Sequence, residues 1–145
     1  MNYLADTNIL LRWANVNDPQ HLEATTAIDA LLTADNEVFV APQNIYEFWN
    51  VSTRPRKNNG FGFTPEQAKA DITKIESVFP MLDETPQVYV EWRSLAASAG
   101  VSGVQVHDAH LAAIMKVHAI THLLTFNARD FIRYGITTVE PKSLL

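Results

Sequence analysis

The chain has 145 residues, of which 47% are apolar, so it fits one domain that buries roughly 70% of the surface its unfolded form exposes. No run approaches the roughly 18 apolar residues of a membrane span, and the start has neither the basic residues nor the long apolar stretch of a secretory leader, so a cytoplasmic protein without membrane association is expected. There are no cysteines, which excludes disulfides and leaves oxygen or imidazole as metal ligands, and a formal charge of −5 excludes coating nucleic acid through the overall field, so such a partner needs a local basic patch.

In chain order, "NYLA" reads as a strand that hands over to a short helix from about Thr7. "DPQHLEATTAIDALLTAD" predicts a helix started by Asp18, with Pro19 at its first position and an apolar stripe of Leu22, Ile28, Leu31 and Leu32. "EVFVA" is a second strand, and Pro42 opens the helix "PQNIYEFWNVST". "RPRKNNGFGF" is a loop by its proline, glycines and asparagines. "TPEQAKADITKIESVF" predicts a helix capped by Thr64, with Ala68, Ile72, Ile75 and Phe79 on one side. A short strand near "PMLDE" and the helix "PQVYVEWRSLAASAG" follow, then a helix from about Val106 to His118. The strand "THLLTF", a short helix "ARDFIRY" and a last strand around "ITTVE" complete the chain. This alternation predicts one α/β domain with a mostly parallel central sheet of about four or five strands, flanked by helices.

Open α/β sheets bind ligands outside the carboxyl ends of their strands, where helix N-termini and loops converge. Asp6 stands at such an end, although Asp6 or Thr7 could equally cap the next helix. Glu47 lies among Ile45, Tyr46, Phe48 and Trp49, which leaves little of its turn clearly facing water, and a buried carboxylate needs a partner. The alternative is a surface strip of Glu47, Asn50, Val51 and Arg54. Asp108 shares a helical stripe with Leu111, Ala112, Met115 and Ala119, which points it inward from the first turn, where an anion is also favoured structurally. "LLTFNARDF" is a further strand end, where Asn127 and Asp130 have the spacing of a capping box. Four separate segments thus present an oxygen ligand at a strand end or inward-facing turn, a coincidence that independent caps do not require.

Taken together, "LADTNILL", the lone glutamate of "NIYEFWN", "VHDAHLAA" and "LLTFNARDF" resemble the PIN-domain ribonucleases, specifically the VapC-type toxins of bacterial toxin–antitoxin pairs, in order over essentially the whole chain. By that resemblance Asp6, Glu47 and Asp108 match acids that bind magnesium or manganese, and Asn127 joins them in the catalytic set, where many members carry aspartate. Asparagine keeps an oxygen ligand and removes a charge. The resemblance implies a Mg2+-dependent endoribonuclease with RNA as substrate, an antitoxin protein as partner and a homodimer. A degenerate member that binds RNA or a protein without cleavage is the alternative that Asn127 permits. A magnesium phosphatase is disfavoured, because the start has no D-x-D.

The chemistry suits these residue types. A magnesium ion lowers the pKa of water, clamps phosphoryl oxygens and prefers a few carboxylates with several waters. Carboxylates crowded for that purpose repel and raise one another's pKa values. Thr7, Thr125 and Asp130 are placed behind the ligands, with the two threonines bonding to carboxylates. His107, His110, His118 and His122 lack an H-E-x-x-H pattern and cysteine company, so no zinc site is expected. Arg54, Arg56 and Lys57 leave the Glu47 helix in a loop suited to RNA phosphates. Tyr46, Phe48, Trp49, Trp92 and Phe126 read as core.

Overall fold

Alternation along the first strand decides the layering of the molecule, whose computed structural model describes residues 1–145. In β1 (Asn2–Ala5) Leu4 joins one apolar cluster while Tyr3 and Ala5 join another, as the two-residue period of a strand demands. Leu123 and Leu124 of β3 (His122–Leu124) divide in the same way. With β2 (Glu37–Phe39) and β4 (Thr137–Val139) they form one sheet in the order β2-β1-β3-β4, every neighbouring pair parallel. Leu4 lies opposite Phe39 on one side and Leu123 on the other. The predicted strand "PMLDE" shrinks to a single bridge between Val40 and Met81, closed by Val40 N–H donating to Pro80 O at 3.0 Å and Leu82 N–H donating to Val40 O at 2.8 Å. Pro80 has no N–H to extend that ladder.

The helices are α1 (Thr7–Ala14), α2 (His21–Thr33), α3 (Pro42–Thr53), α4 (Pro65–Val78), α5 (Pro86–Ser98) and α6 (Gln105–Val117), with short 3-10 segments at Arg56–Asn58, Ala128–Tyr134 and Pro141–Leu144. Helix α2 starts two residues later than its Asp18-Pro19 signal. Asp18 instead forms a turn, its Oδ1 accepting from Gln20 N–H at 2.8 Å and its carbonyl from His21 N–H at 3.0 Å. Consequently Leu22 is 75% exposed, and Ala24, Ala27, Ile28 and Leu31 form the buried stripe. Helix α4 begins as predicted, with Thr64 and Gln67 exchanging side-chain to backbone hydrogen bonds at both ends of a capping box.

Helix α6 is displaced by one residue from its predicted span and is buried all round from Leu111 to Met115, between the sheet and α5. Ala119, expected on its inward stripe, lies beyond the helix end with φ 57° and is exposed. Trp92 of α5 donates its indole N–H to Val106 O at 3.0 Å, which ties the first turn of α6 in place. Asp108 is on that turn.

Between β1 and β2 the chain moves toward one edge of the sheet, and β3 is added on the other side of β1. The strand order therefore reverses between β1 and β3, where a parallel sheet opens a crevice at its carboxyl ends. Asp6 leaves β1 and Thr125 leaves β3 at that crevice, with Asp6 N–H still donating to Leu124 O at 2.9 Å. No helix is long and apolar enough to cross a membrane.

Candidate active site

Asp6 occupies the N-cap position of α1, but its carboxylate does more than cap. Oδ1 accepts from Thr7 N–H at 2.7 Å, while Oδ2 accepts from the Thr125 hydroxyl at 2.8 Å and from the Asn8 amide at 3.4 Å. The side chain is 8% exposed. Burial pushes its pKa up from 3.8 to about 6, against the hydrogen bonds from Thr125 and Thr7 and with the repulsion of Glu47 and Asp108.

Glu47 projects from the second turn of α3 toward the same place. Its Oε1 accepts from the Thr7 hydroxyl at 2.7 Å and its Oε2 from the Gln43 amide at 3.2 Å. Thr7 thus touches two carboxylates, the Asp6 one through its backbone and the Glu47 one through its side chain. Asn44 steadies that hydroxyl, donating to Thr7 Oγ1 at 3.2 Å while its own Oδ1 accepts from Ala41 N–H at 2.8 Å. The alternative surface strip does not form, since Glu47, Asn50 and Val51 line one cleft while Arg54 turns to Asn59 O. Tyr46 is 71% exposed and Trp49 is partly exposed, so only Phe48 of this helix's aromatics is core. Trp92 and Phe126 are partly buried at the edges of the two apolar clusters.

Asp108 reaches the cleft from the first turn of α6. Burial raises its pKa from 3.8 to about 6, with Asp130 and Glu47 adding repulsion and His107 and Arg133 opposing it. Asp6, Thr7, Glu47, Asn50, Asp108, Asn127 and Asp130 line one open cleft of about 300 Å3. The expected capping by Asn127 does not occur: its side chain makes no cap bond, while its backbone N–H donates to Thr125 Oγ1 at 2.9 Å. Asp130, expected behind the ligands, faces the cleft as a fourth carboxylate.

Arg54, Arg56 and Lys57 do not line that cleft. Arg54 Nη2 donates to Asn59 O at 3.2 Å and Arg56 Nε to Phe61 O at 3.3 Å, so two of the three hold their own loop together. Gly60 is required there, since a Cβ would lie 1.9 Å from Arg54 O. Lys57 and Arg56 are exposed. Asn8, Gln43 and Asn44 support the acids as well, which was not expected from the sequence. Gln43 and Asn44, polar residues four and three positions before Glu47 on its helix and so on its face, were the available signal.

A divalent cation fits this donor set by chemistry. The polar groups lining the cleft are carboxylates, asparagine amides and a hydroxyl, all hard oxygen donors, and a cation relieves the repulsion of the carboxylates. No three His, Asp or Glu side chains are already drawn together at ligand spacing, so waters would have to complete a shell, as magnesium prefers.

The family model for the PIN domain matches residues 3–136. No curated protein matches the chain in sequence at a significant level. Among solved structures, VapBC2 from Rickettsia felis, described as bound to a DNA fragment from their promoter, aligns at 16% identity over 97% of this chain and 98% of its own, with a TM-score of 0.72. VapBC-1 from nontypeable Haemophilus influenzae aligns at 15% identity over 98% and 99%, TM-score 0.70. VapC20 from Mycobacterium tuberculosis, described as a sarcin-ricin loop cleaving toxin, aligns at 18% identity over 83% and 86%, TM-score 0.58.

Proposed function

From the premise that this chain belongs to the PIN-domain family, we propose that it is a Mg2+-dependent endoribonuclease, with Mn2+ as a substitute, and the toxin of a VapBC-like toxin–antitoxin pair. The observation that carries this reading is that Asp6 and Asp108, from opposite ends of the chain, share one cleft with Glu47 and Asp130 and both have pKa values raised to about 6. Structural neighbours described as VapBC2 and VapBC-1, and a neighbour described as a sarcin-ricin loop cleaving toxin, support an antitoxin partner and an RNA substrate. A cytoplasmic homodimer accompanies the reading through the family resemblance.

Asp6, Asp108 and Glu47 would hold the cation, with Asp130 and Asn127 across the cleft. When bound, the cation supplies a water of lowered pKa and Lewis-acid neutralisation of the phosphoryl oxygens. The chain's own residues prepare that site. Thr125 and the Thr7 N–H favour the ionised form of the Asp6 carboxylate against its burial, and Thr7 and Gln43 fix the plane of Glu47. Asn127 offers an uncharged amide to orient a water or a substrate oxygen. The exposed Arg56 and Lys57, with Arg54 bracing their loop, bind backbone phosphates away from the cleft.

Purified protein assayed on RNA with magnesium, manganese or chelator tests the proposal. Cleavage should require the cation and disappear in Asp6→Asn and Asp108→Asn. Cleavage that persists in chelator and in both variants would end it. The uncharged Asn127 among the cleft's carboxylates favours a second reading, a member that binds RNA without cutting it. Retained RNA affinity with no cleavage under any divalent cation would select that one.

A further inference from the structure

Gln43 lies one helical turn before Glu47 on α3 and is buried. Its Nε2 donates to Glu47 Oε2 at 3.2 Å and to His107 O at 2.9 Å. Both partners are acceptors only, so the amide orientation is decided: a flipped side chain would set its oxygen against a carboxylate and a carbonyl. Gln43 Oε1 therefore faces His110 Nδ1, with which it makes a hydrogen bond, and the ring must carry a proton on Nδ1. On the far side of the ring, His110 Nε2 meets both carboxylate oxygens of Glu84 at 2.9 Å. A polar strap thus runs Glu84–His110–Gln43–Glu47 and joins the segment before α5, helix α6 and helix α3.

The strap ends on the one acid whose two oxygens are each held by a different side chain. Thr7 grips Oε1 and Gln43 grips Oε2, which fixes the carboxylate plane and leaves its other lone pairs for the cleft. We propose that Gln43, aimed by His110 and Glu84, is a positioning residue that orients Glu47 toward the divalent cation. The inference rests on the reading of Glu47 as a cation-facing acid. A strap that merely stapled α3 to α6 would lower stability and leave cation affinity untouched.

Calorimetric titration of the full-length, metal-free chain with Mn2+ separates these roles without reference to cleavage. Gln43→Met and His110→Leu should each weaken Mn2+ binding by about 10- to 100-fold, the usual effect of losing a group that orients a ligand. His110→Asn, whose amide nitrogen can stand where Nδ1 stood, should keep most of the affinity. The double variant Gln43→Met with Glu47→Gln should bind no more weakly than Glu47→Gln alone, because Gln43 acts through Glu47. Should Gln43→Met not fold, His110→Leu carries the same comparison from a less buried position. Unchanged Mn2+ affinity in Gln43→Met or His110→Leu, beside a weakened Glu47→Gln, overturns the positioning role while leaving Glu47 a ligand. Unchanged affinity in Glu47→Gln overturns both.

Discussion

Thr125 donates its hydroxyl proton to Asp6 Oδ2 at 2.8 Å across a sequence separation of 119 residues. Thr125 Oγ1 in turn accepts from Asn127 N–H at 2.9 Å and from the Asn8 amide at 3.3 Å, so one buried hydroxyl joins the ends of β1 and β3. Thr125→Val keeps the shape and removes all three bonds. Leaving Asp6 Oδ2 with only the long Asn8 contact and the Asn127 N–H unpaired should cost about 1–3 kcal/mol, and Thr125→Ser should recover most of it. Urea melts of the metal-free proteins check this, and a Val variant that melts with the parent would show that the hydroxyl is not what holds the strand ends.

The raised carboxyl pKa values make the metal-free protein less stable as pH increases. Asp6 and Asp108 titrate near 6 when folded and near 3.8 when unfolded, so between those values the folded chain binds more protons and stability falls with rising pH. The loss is complete above about pH 6 and absent below about pH 4. For the buried Asp6 it amounts to at most about 3 kcal/mol, and half-buried Asp108 adds a smaller amount because water screens it. Thermal melts in chelator should therefore give a higher Tm at pH 5 than at pH 7.5, and the difference should shrink in Asp6→Asn. A Tm that rises from pH 5 to 7.5 in chelator contradicts the placement of these acids.

Replacing Arg56 and Lys57 with alanine should weaken RNA binding and flatten its salt dependence by roughly 1.4 in log–log slope if each neutralises one phosphate of a single strand. Arg54→Ala should act differently. Its guanidinium holds Asn59 O under the tight Gly60 turn, so it should lower the melting temperature more than the salt slope. Filter-binding across a salt series reads the first effect and thermal melts the second. Equal slopes in parent and double variant would remove the loop from the RNA surface.

Local signals were legible where one residue's chemistry acts on its immediate neighbours. Thr64 and Gln67 form a cap from side chains three apart, and the apolar runs of "NYLA" and "THLLTF" are the strands β1 and β3. The reading faltered where a distant partner decides. Asp18 with Pro19 has the composition of a helix start, yet Asp18 serves a turn and lies 4.0 Å from Arg12 of the previous helix. Tyr46 and Trp49 look like core by type, but the inward side of α3 is already filled by Gln43, Asn44, Phe48 and Ser52. Asp130 has the spacing of a cap partner for Asn127, whereas the 3-10 segment buries Phe131 and leaves Asp130 toward the cleft. The strap through Gln43, His110 and Glu84 joins three segments by side chains alone, and no periodicity reports it.

Asp6→Asn distinguishes a strained ligand from an ordinary cap. Asparagine and aspartate cap helices about equally well: the asparagine oxygen can keep the bond from Thr7 N–H, and its NH2 takes the place of Oδ2, where the Thr125 hydroxyl accepts instead of donating. What it removes is the charge that burial, Glu47 and Asp108 disfavour. Without metal the variant should be at least as stable as the parent. Cation binding stabilises the folded state by RT ln(1 + [L]/Kd), about 2.7 kcal/mol at a hundredfold excess over Kd, so the parent should gain steadily through a magnesium series. Asp6→Asn, with a weaker site, should gain much less. The two melting curves are expected to cross, with the variant higher in chelator and the parent higher at millimolar magnesium. An identical magnesium response in both proteins would return Asp6 to a helix cap and leave the cleft without its central ligand.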